Sequence, residues 1–261
     1  WSNGDTTQNI SGVSATGSGF FYYLIVTDIN GCTASDTIQL FEPTQLTTSV
    51  GTQIDVSCNG GSNASVTISA SGSTPAYQYQ LGSGSFQSSP TFTGLSAGTY
   101  NITVNDANGC SAIQGVTITE PAAPVTAAAS TTTGALCNGD ANGTAVVSAT
   151  GGTSPYNYSW SPSGGNAQGA TGLIAGVYLV TVTDANGCTS TSSATITQPT
   201  AVSGTVSATA GTCNLANGSA TASGSGGTSP YQYAWPGGYM GATYSNLSPG
   251  SYRVTIIDAQ G

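Results

Sequence analysis

Apolar and polar positions alternate along this chain in short bursts and never settle into a helical period. In Val177-Tyr-Leu-Val-Thr-Val-Thr183, Tyr178, Val180 and Val182 alternate with Leu179, Thr181 and Thr183, and Tyr100, Ile102 and Val104 repeat the pattern upstream. A period of two predicts a strand with one apolar, buried face. Gly143-Thr-Ala-Val-Val-Ser-Ala149 and Pro155-Tyr-Asn-Tyr-Ser-Trp160 also read as strands. Thr189 to Thr197 reads as another after an Asp-Ala-Asn-Gly turn, and weaker candidates lie near 124–130 and 168–174. Short β-rich runs separated by Gly, Asn, Ser and Pro every ~8–12 residues predict an all-β sandwich.

The elements recur. Val26-Thr-Asp28-Ile-Asn-Gly-Cys32 returns as Val104-Asn-Asp106-Ala-Asn-Gly-Cys110 and Val182-Thr-Asp184-Ala-Asn-Gly-Cys188 at a spacing of 78, and Ile256-Ile-Asp258-Ala-Gln-Gly261 follows after 74. Pro43, Pro121 and Pro199 keep the same beat of 78, while Trp1, Leu81, Trp160 and Trp235 fall at intervals of 80, 79 and 75. Cys58-Asn-Gly, Cys137-Asn-Gly and Cys213-Asn-Leu open successive units. Self-similarity at a fixed period marks a tandem array. The expected units are a partial repeat at 1–43, repeats at 44–121 and 122–199, and a truncated repeat at 200–261. The chain starts at a mid-repeat Trp and stops one residue short of an expected Cys, so a fragment of a longer array is expected.

Within a unit, Leu95-Ser-Ala-Gly-Thr-Tyr100 resembles the tyrosine corner of immunoglobulin-type sandwiches, in which a Tyr hydrogen-bonds back across the preceding turn. The Trp of the Tyr-x-Tyr-x-Trp strand reads as a core residue. The expected fold is a tandem array of immunoglobulin-like β-sandwich repeats of about 78 residues, with six or seven strands each. Junctions at Glu42-Pro43, Glu120-Pro121 and Gln198-Pro199 are short and proline-fixed, which restricts hinge motion. Each sandwich should add ~30–40 Å to a semi-rigid rod.

Composition narrows the chemistry. Of 261 residues one is basic and ten are acidic, giving a net charge of −9, and only 4% are charged against roughly a quarter in ordinary domains. Arg253 is the sole cation, with no Lys and no His. Nucleic-acid binding is excluded for want of a basic surface. The same absences remove His-dependent nucleophile systems, a Lys Schiff base, a phosphate-loop Lys, His-ligated metals and a Lys-Asn isopeptide staple. Apolar residues at 38% still supply ordered cores. The longest apolar run, Phe20 to Val26, falls short of the ~18–20 residues of a membrane span.

Cys58 and Cys110 lie 52 positions apart and Cys137 and Cys188 lie 51 apart, so the economical expectation is one disulfide inside each complete unit. Cys32 and Cys213 are then left with partners outside the chain. Closing a loop of this size is worth roughly 4 kcal/mol in the chain-entropy picture, and disulfides imply an oxidising, extracytoplasmic location. With no Cys-x-x-Cys and no His, a metal reading of these cysteines is set aside.

Other candidate sites have plainer readings beside them. Asp28, Asp106, Asp184 and Asp258 occupy one recurring position and invite calcium, which wants six to eight oxygens. The preferred reading is a tight turn with Asp bonding local backbone. Tyr156, Tyr158 and Trp160 could form a sugar-binding platform, but alternation with a Trp favours the core. The acids are scattered, so no glycosidase-like pair is expected and the chain is read as non-enzymatic, without a cofactor. Asn63, Asn101, Asn142 and Asn217 stand in Asn-x-Ser/Thr sequons that so polar a sequence generates by chance.

The ordered set Cys137-Asn-Gly, Gly151-Gly-Thr-Ser-Pro-Tyr-Asn-Tyr-Ser-Trp160, Leu173-Ile-Ala-Gly-Val-Tyr178 and Thr181-Val-Thr-Asp-Ala-Asn-Gly-Cys188 resembles the SprB repeat, found in giant surface adhesins of gliding and other Bacteroidota. The resemblance spans essentially the whole chain. It implies export by type IX secretion, display at the outer surface and a role in adhesion or gliding motility. Leu81 in place of Trp, Ser73-Thr-Pro-Ala in place of Gly-Thr-Ser-Pro, and Phe20 in the Ala-Gly-x-Tyr pattern are departures. Thr6 and Thr37 sit in segments that resemble the Asp-Ser/Thr-aliphatic O-glycosylation motif of Bacteroidota. The expected function is a structural stalk or fibre segment of a secreted cell-surface adhesin or extracellular filament. Its partners would be neighbouring repeats, surface glycans or other copies of itself. Tandem lectin-like repeats and a self-assembling fibre subunit are the alternatives.

Overall fold

The computed structural model describes residues 1–13, 19–213 and 215–261, so Asn214 of the third Cys-Asn pair lies outside the described residues. Every regular element among the described residues is a strand, as expected where β-branched and aromatic residues alternate with Ser and Thr and are punctuated by Gly, Asn and Pro. The chain divides into two compact units, residues 1–56 with 60–120, and residues 57–59 with 121–261.

In the first unit, β1 (Phe20–Thr27) and β2 (Thr33–Leu40) form an antiparallel hairpin. It is followed by β3 (Thr47–Ile54), β4 (Ala64–Ser71), β5 (Gln78–Leu81), β6 (Thr91–Leu95), β7 (Gly98–Asn105) and β8 (Ser111–Ile118). These six strands make two antiparallel sheets, β3-β4-β6 and β5-β7-β8. Alternate residues of β4, β7 and β8, namely Val66, Ile68, Ile102, Val104, Val116 and Ile118, are buried in one cluster with Leu46, Tyr79, Phe92 and Leu95. The two sheets therefore bury their apolar faces against each other, the arrangement the period-two pattern requires.

The strand path gives this sandwich two distinct ends. At one end Thr47 stands opposite Ser71, Asn105 opposite Ser111, and Ser73 donates its N–H to the Thr44 carbonyl at 2.7 Å. At the other end Gly98 stands opposite Ile118 and the Val56 N–H reaches the Thr119 carbonyl at 2.9 Å.

The second unit repeats the scheme with β9 (Thr126–Thr133), β10 (Gly143–Thr150), β11 (Asn157–Ser161), β12 (Gly169–Leu173), β13 (Gly176–Thr183) and β14 (Thr189–Ile196), in sheets β12-β10-β9 and β11-β13-β14. The two weaker sequence candidates are β9 and β12. Tyr178, Val180 and Val182 face inward as their alternation requires. A further set, β15 (Ser203–Thr209), β16 (Gly218–Ser225), β17 (Gln232–Ala234), β18 (Thr243–Leu247) and β19 (Thr255–Ile257), forms β15-β16-β18 and β17-β19. The chain is thus all-β, a tandem series of sandwiches, six strands in each of the two complete sets.

Local locks recur with the sandwiches. The Tyr100, Tyr178 and Tyr252 hydroxyls donate to the carbonyls of Ser96, Ile174 and Ser248 at 3.0, 3.1 and 3.0 Å, which is the tyrosine corner read from sequence. The indole N–H groups of Trp1, Trp160 and Trp235 each bond a carbonyl six or seven residues on, at Thr7, Ala167 and Gly241. The residue that faces this position differs from sandwich to sandwich. Buried Trp160 lies beside Ala170 across Gly164, Leu81 packs in the cluster that holds Phe92, and Trp235 meets Tyr244 at the same place with ring centroids 5.8 Å apart.

Candidate functional site

The Asp-x-Asn-Gly segments form the turns between paired strands, and the Asp carboxylate organises each of them. Oδ1 of Asp28 accepts the N–H groups of Asn30 and Cys32 at 2.9 and 2.8 Å. Asp106 accepts those of Asn108 and Cys110 at 2.9 and 2.7 Å, and Asp184 those of Asn186 and Cys188 at 3.0 and 2.8 Å. Asp258 accepts from Gln260 and Gly261 at 3.0 and 3.2 Å. The second oxygen bonds the loop that leads into the Tyr-rich strand: Thr74, Thr153 and Thr228 donate their N–H groups to Asp106, Asp184 and Asp258 at 3.3, 2.9 and 2.8 Å. Sequence reading anticipated the first set of bonds and missed the second.

These three Asp residues are buried, and their charge is met by backbone dipoles. Asp106 is held at about 2, first by the Ser73 hydroxyl and then, against the cost of burial, by the N–H groups of Cys110, Thr74 and Asn108. Asp184 and Asp258 lie below the usual carboxylate range chiefly through the Thr153 and Thr228 N–H groups. Oxygens so ringed by N–H donors present the wrong surroundings to a cation, which needs further oxygens around it. Among the described residues no three His, Cys, Asp or Glu side chains converge on a point.

The loop contacted by Asp explains the Ser73 departure. A Cβ placed on Gly152 or Gly227 would lie 2.5 or 2.4 Å from the Asp184 or Asp258 Oδ2, and both glycines have positive φ. Ser73 occupies the equivalent place at φ 54° and turns the collision into a hydrogen bond, its Oγ donating to Asp106. The adjoining tyrosines are clasps: Tyr77, Tyr156 and Tyr231 donate to the carbonyls of Gly72, Gly151 and Gly226 at 2.6, 2.6 and 2.5 Å. With Trp160 buried and Tyr156 and Tyr158 packed against the same core, the aromatic strand faces inward. Thr6 and Thr37 are exposed.

The cysteines depart from expectation. Cys58 is bonded to Cys188, with Cα atoms 5.8 Å apart across 130 positions. The pairing of Cys58 with Cys110 and of Cys137 with Cys188 is overturned, and Cys32, Cys110, Cys137 and Cys213 are free thiols. The reason is the strand path. Val56 and Gly60, which flank Cys58, bond Thr119 and Glu120 beyond the far end of β8, whereas Cys110 stands just before its start. Eight strand residues, at ~3.3 Å each, separate those positions by ~25 Å, far beyond the ~7 Å reach of a disulfide. Cys137 and Cys188 lie at opposite ends of β14 in the same way, since Ala135, Asn138 and Gly139 bond Thr197, Pro199 and Gln198.

The bridge is built from both sides. Asn186 donates its side-chain amide to the Ser57 carbonyl at 2.9 Å and to Thr153 Oγ1 at 3.1 Å. Asn59 donates its own to the Pro121 carbonyl at 2.9 Å. The Cys-Asn-Gly segment is thereby a plug and the Asp-x-Asn-Gly-Cys turn its socket. Burial, followed by the nearby Asp140 and Asp258 charges and a hydrogen bond with Asp140, pushes the Cys137 thiol up.

Sandwiches of this type, chained in tandem and locked by turn carboxylates and a long-range disulfide, define a β-sandwich repeat protein. The two stretches 50–86 and 129–165 match the SprB repeat, starting 79 residues apart and so in step with the period of the chain. No curated protein matches the sequence. Among solved structures the chain is similar to the C-terminal 282-residue fragment of intimin in complex with the intimin-binding domain of its translocated receptor (11% identity, 60% of this chain and 66% of that one, TM-score 0.32). It is also similar to fibronectin(III)-like modules of Clostridium thermocellum CbhA (14%, 58% and 95%, 0.29) and to domains 1–6 of the surface layer protein SbsC (11%, 92% and 44%, 0.25).

Proposed function

We propose that this chain is a structural stalk or fibre segment of a secreted cell-surface adhesin or extracellular filament, built from repeats at 44–121, 122–199 and 200–261 with part of another at 1–43. The observation that carries the reading is the Cys58–Cys188 disulfide within SprB-type sandwiches. Structural disulfides form and persist characteristically in oxidising, extracytoplasmic compartments. Closing 130 positions, this one shields the chain between its ends from extension under load. The buried Asp residues and the Tyr and Trp hydroxyl and indole groups are spent on backbone bonds inside each sandwich, which suits a scaffold whose binding chemistry lies elsewhere.

Immunoelectron microscopy with an antibody raised against residues 44–199 tests this. Label along surface filaments or on the outer face of intact cells is the expected result. Label confined to the cell interior would overturn the reading, and saturable binding of the isolated chain to a glycan array would transfer it to the lectin class.

A further inference from the structure

Three clefts in the molecule share one pattern of residues. In the first, Cys58 and Asn59 lie against Pro124, Val125, Gly152, Cys188 and Thr189. In the second, Cys137 and Asn138 lie against Thr200, Ala201, Val202, Gly227 and Asp258. The third is formed by Glu42 to Leu46 with Ser73, Cys110 and Ser111. Position for position it is the first cleft one repeat earlier, with Leu46 for Val125, Ser73 for Gly152, Cys110 for Cys188 and Ser111 for Thr189. None of its lining residues belongs to a Cys-Asn-Gly segment.

We propose that the Cys110 cleft is a docking site for the Cys-Asn-Gly loop of another repeat of this kind, sealed by a disulfide to Cys110. The recognition chemistry is visible at the two places where such a loop is seated. Its Asn amide bonds a proline carbonyl, Asn59 to Pro121 and Asn138 to Pro199 at 2.9 and 3.0 Å. Its Gly N–H bonds the side-chain oxygen of the preceding residue, Gly60 to Glu120 and Gly139 to Gln198 at 2.5 and 2.9 Å. Glu42 and Pro43 present that same acceptor pair in the third cleft. On the turn side, Asn108 holds Thr74 Oγ1 at 2.9 Å as Asn186 holds Thr153. Its second amide hydrogen is placed to serve the loop carbonyl that Ser57 supplies to Asn186. Sealing removes two protons and two electrons from the two thiols. A low-molecular-weight disulfide takes them up and leaves as two thiols.

The test uses the intact chain and a synthetic peptide with the sequence of residues 54–62, its cysteine carried as a 2-thiopyridyl mixed disulfide. The Cys110 thiolate attacks the peptide sulfur, the bond to the pyridine sulfur breaks, and pyridine-2-thione departs and is read by absorbance. Peptide mapping then assigns the modified thiol. Rates at each cysteine are divided by those with 2,2′-dithiodipyridine, which removes intrinsic reactivity. The expected result is capture at Cys110 about tenfold or more faster than at Cys32 and Cys213. A peptide with alanine in place of the residue copied from Asn59 should lose about threefold to tenfold, the worth of one hydrogen bond. Equal normalised rates at the three thiols, or indifference to the alanine, would overturn the proposal.

Discussion

Removing the Cys58–Cys188 bridge is the perturbation with the largest consequence. The bond joins residues 130 positions apart. In the chain-entropy picture, a closed loop of that length raises the free energy of the unfolded chain by about 5 kcal/mol at 25 °C. That is a ceiling, because a compact unfolded ensemble already restricts its ends. If the two sandwiches of residues 44–199 unfold together, a loss of this size lowers the melting temperature by about 10–20 °C. The β15–β19 sandwich lies outside the loop and should keep its own transition, since repeat arrays melt by unit and interface. Calorimetry of the wild type with and without reductant, beside the Cys58→Ser/Cys188→Ser double variant, reads both effects. Cys110→Ser and Cys137→Ser should leave the melt unchanged. Mapping with chymotrypsin without reductant should recover Cys58 joined to Cys188, trypsin being of little use with Arg253 as the one cleavage residue. A peptide joining Cys58 to Cys110, or a double variant that melts with the wild type, would refute the reasoning.

The turn carboxylates and the core exchange make their own predictions. Asp106, held at about 2 chiefly by the Ser73 hydroxyl, stabilises the folded chain above the ordinary carboxylate value of about 3.9, and that contribution is lost as pH falls through about 2. NMR titration of its carboxyl carbon should place the midpoint there and Ser73→Gly should move it upward; an unmoved midpoint would remove the hydroxyl from the account. Trp160→Leu should cost roughly 2–3 kcal/mol in urea unfolding. Adding Ala170→Phe should recover about 1 kcal/mol by refilling space that the indole leaves. Simple additivity of the two substitutions would defeat the compensation argument.

The strands, the sandwich class and the tyrosine corner were legible because each rests on local chemistry, the alternation along β7 and β13 and a Tyr placed after a tight turn. The disulfide was not legible from separation alone. A count of 52 between Cys58 and Cys110 measures chain length, while reach depends on the parity of strand crossings between the two residues. The clue was present: Thr189 to Thr197 reads as a strand between Cys188 and Gln198-Pro199, which already places the closing cysteine and the unit boundary at opposite ends. Ser73 was equally opaque as an isolated departure. Only the position of Asp106 shows that a hydroxyl there turns a close approach to the carboxylate into a hydrogen bond.

One physical constraint connects these details. With Arg253 as the only cation, the chain cannot neutralise three buried carboxylates with salt bridges, and each is instead surrounded by N–H groups fixed in a turn. Such dipoles form with the backbone, and being buried they are screened little by salt. They also tie the hairpin turn to the loop entering the Tyr-rich strand, so the carboxylate that shapes the turn holds Cys110 or Cys188 at the edge of its cleft. The cysteine can then meet an incoming loop without reorganisation. The charge-poor composition and the cysteine bridge are therefore two parts of one arrangement, in which the Asp orients the residue that carries the covalent tie.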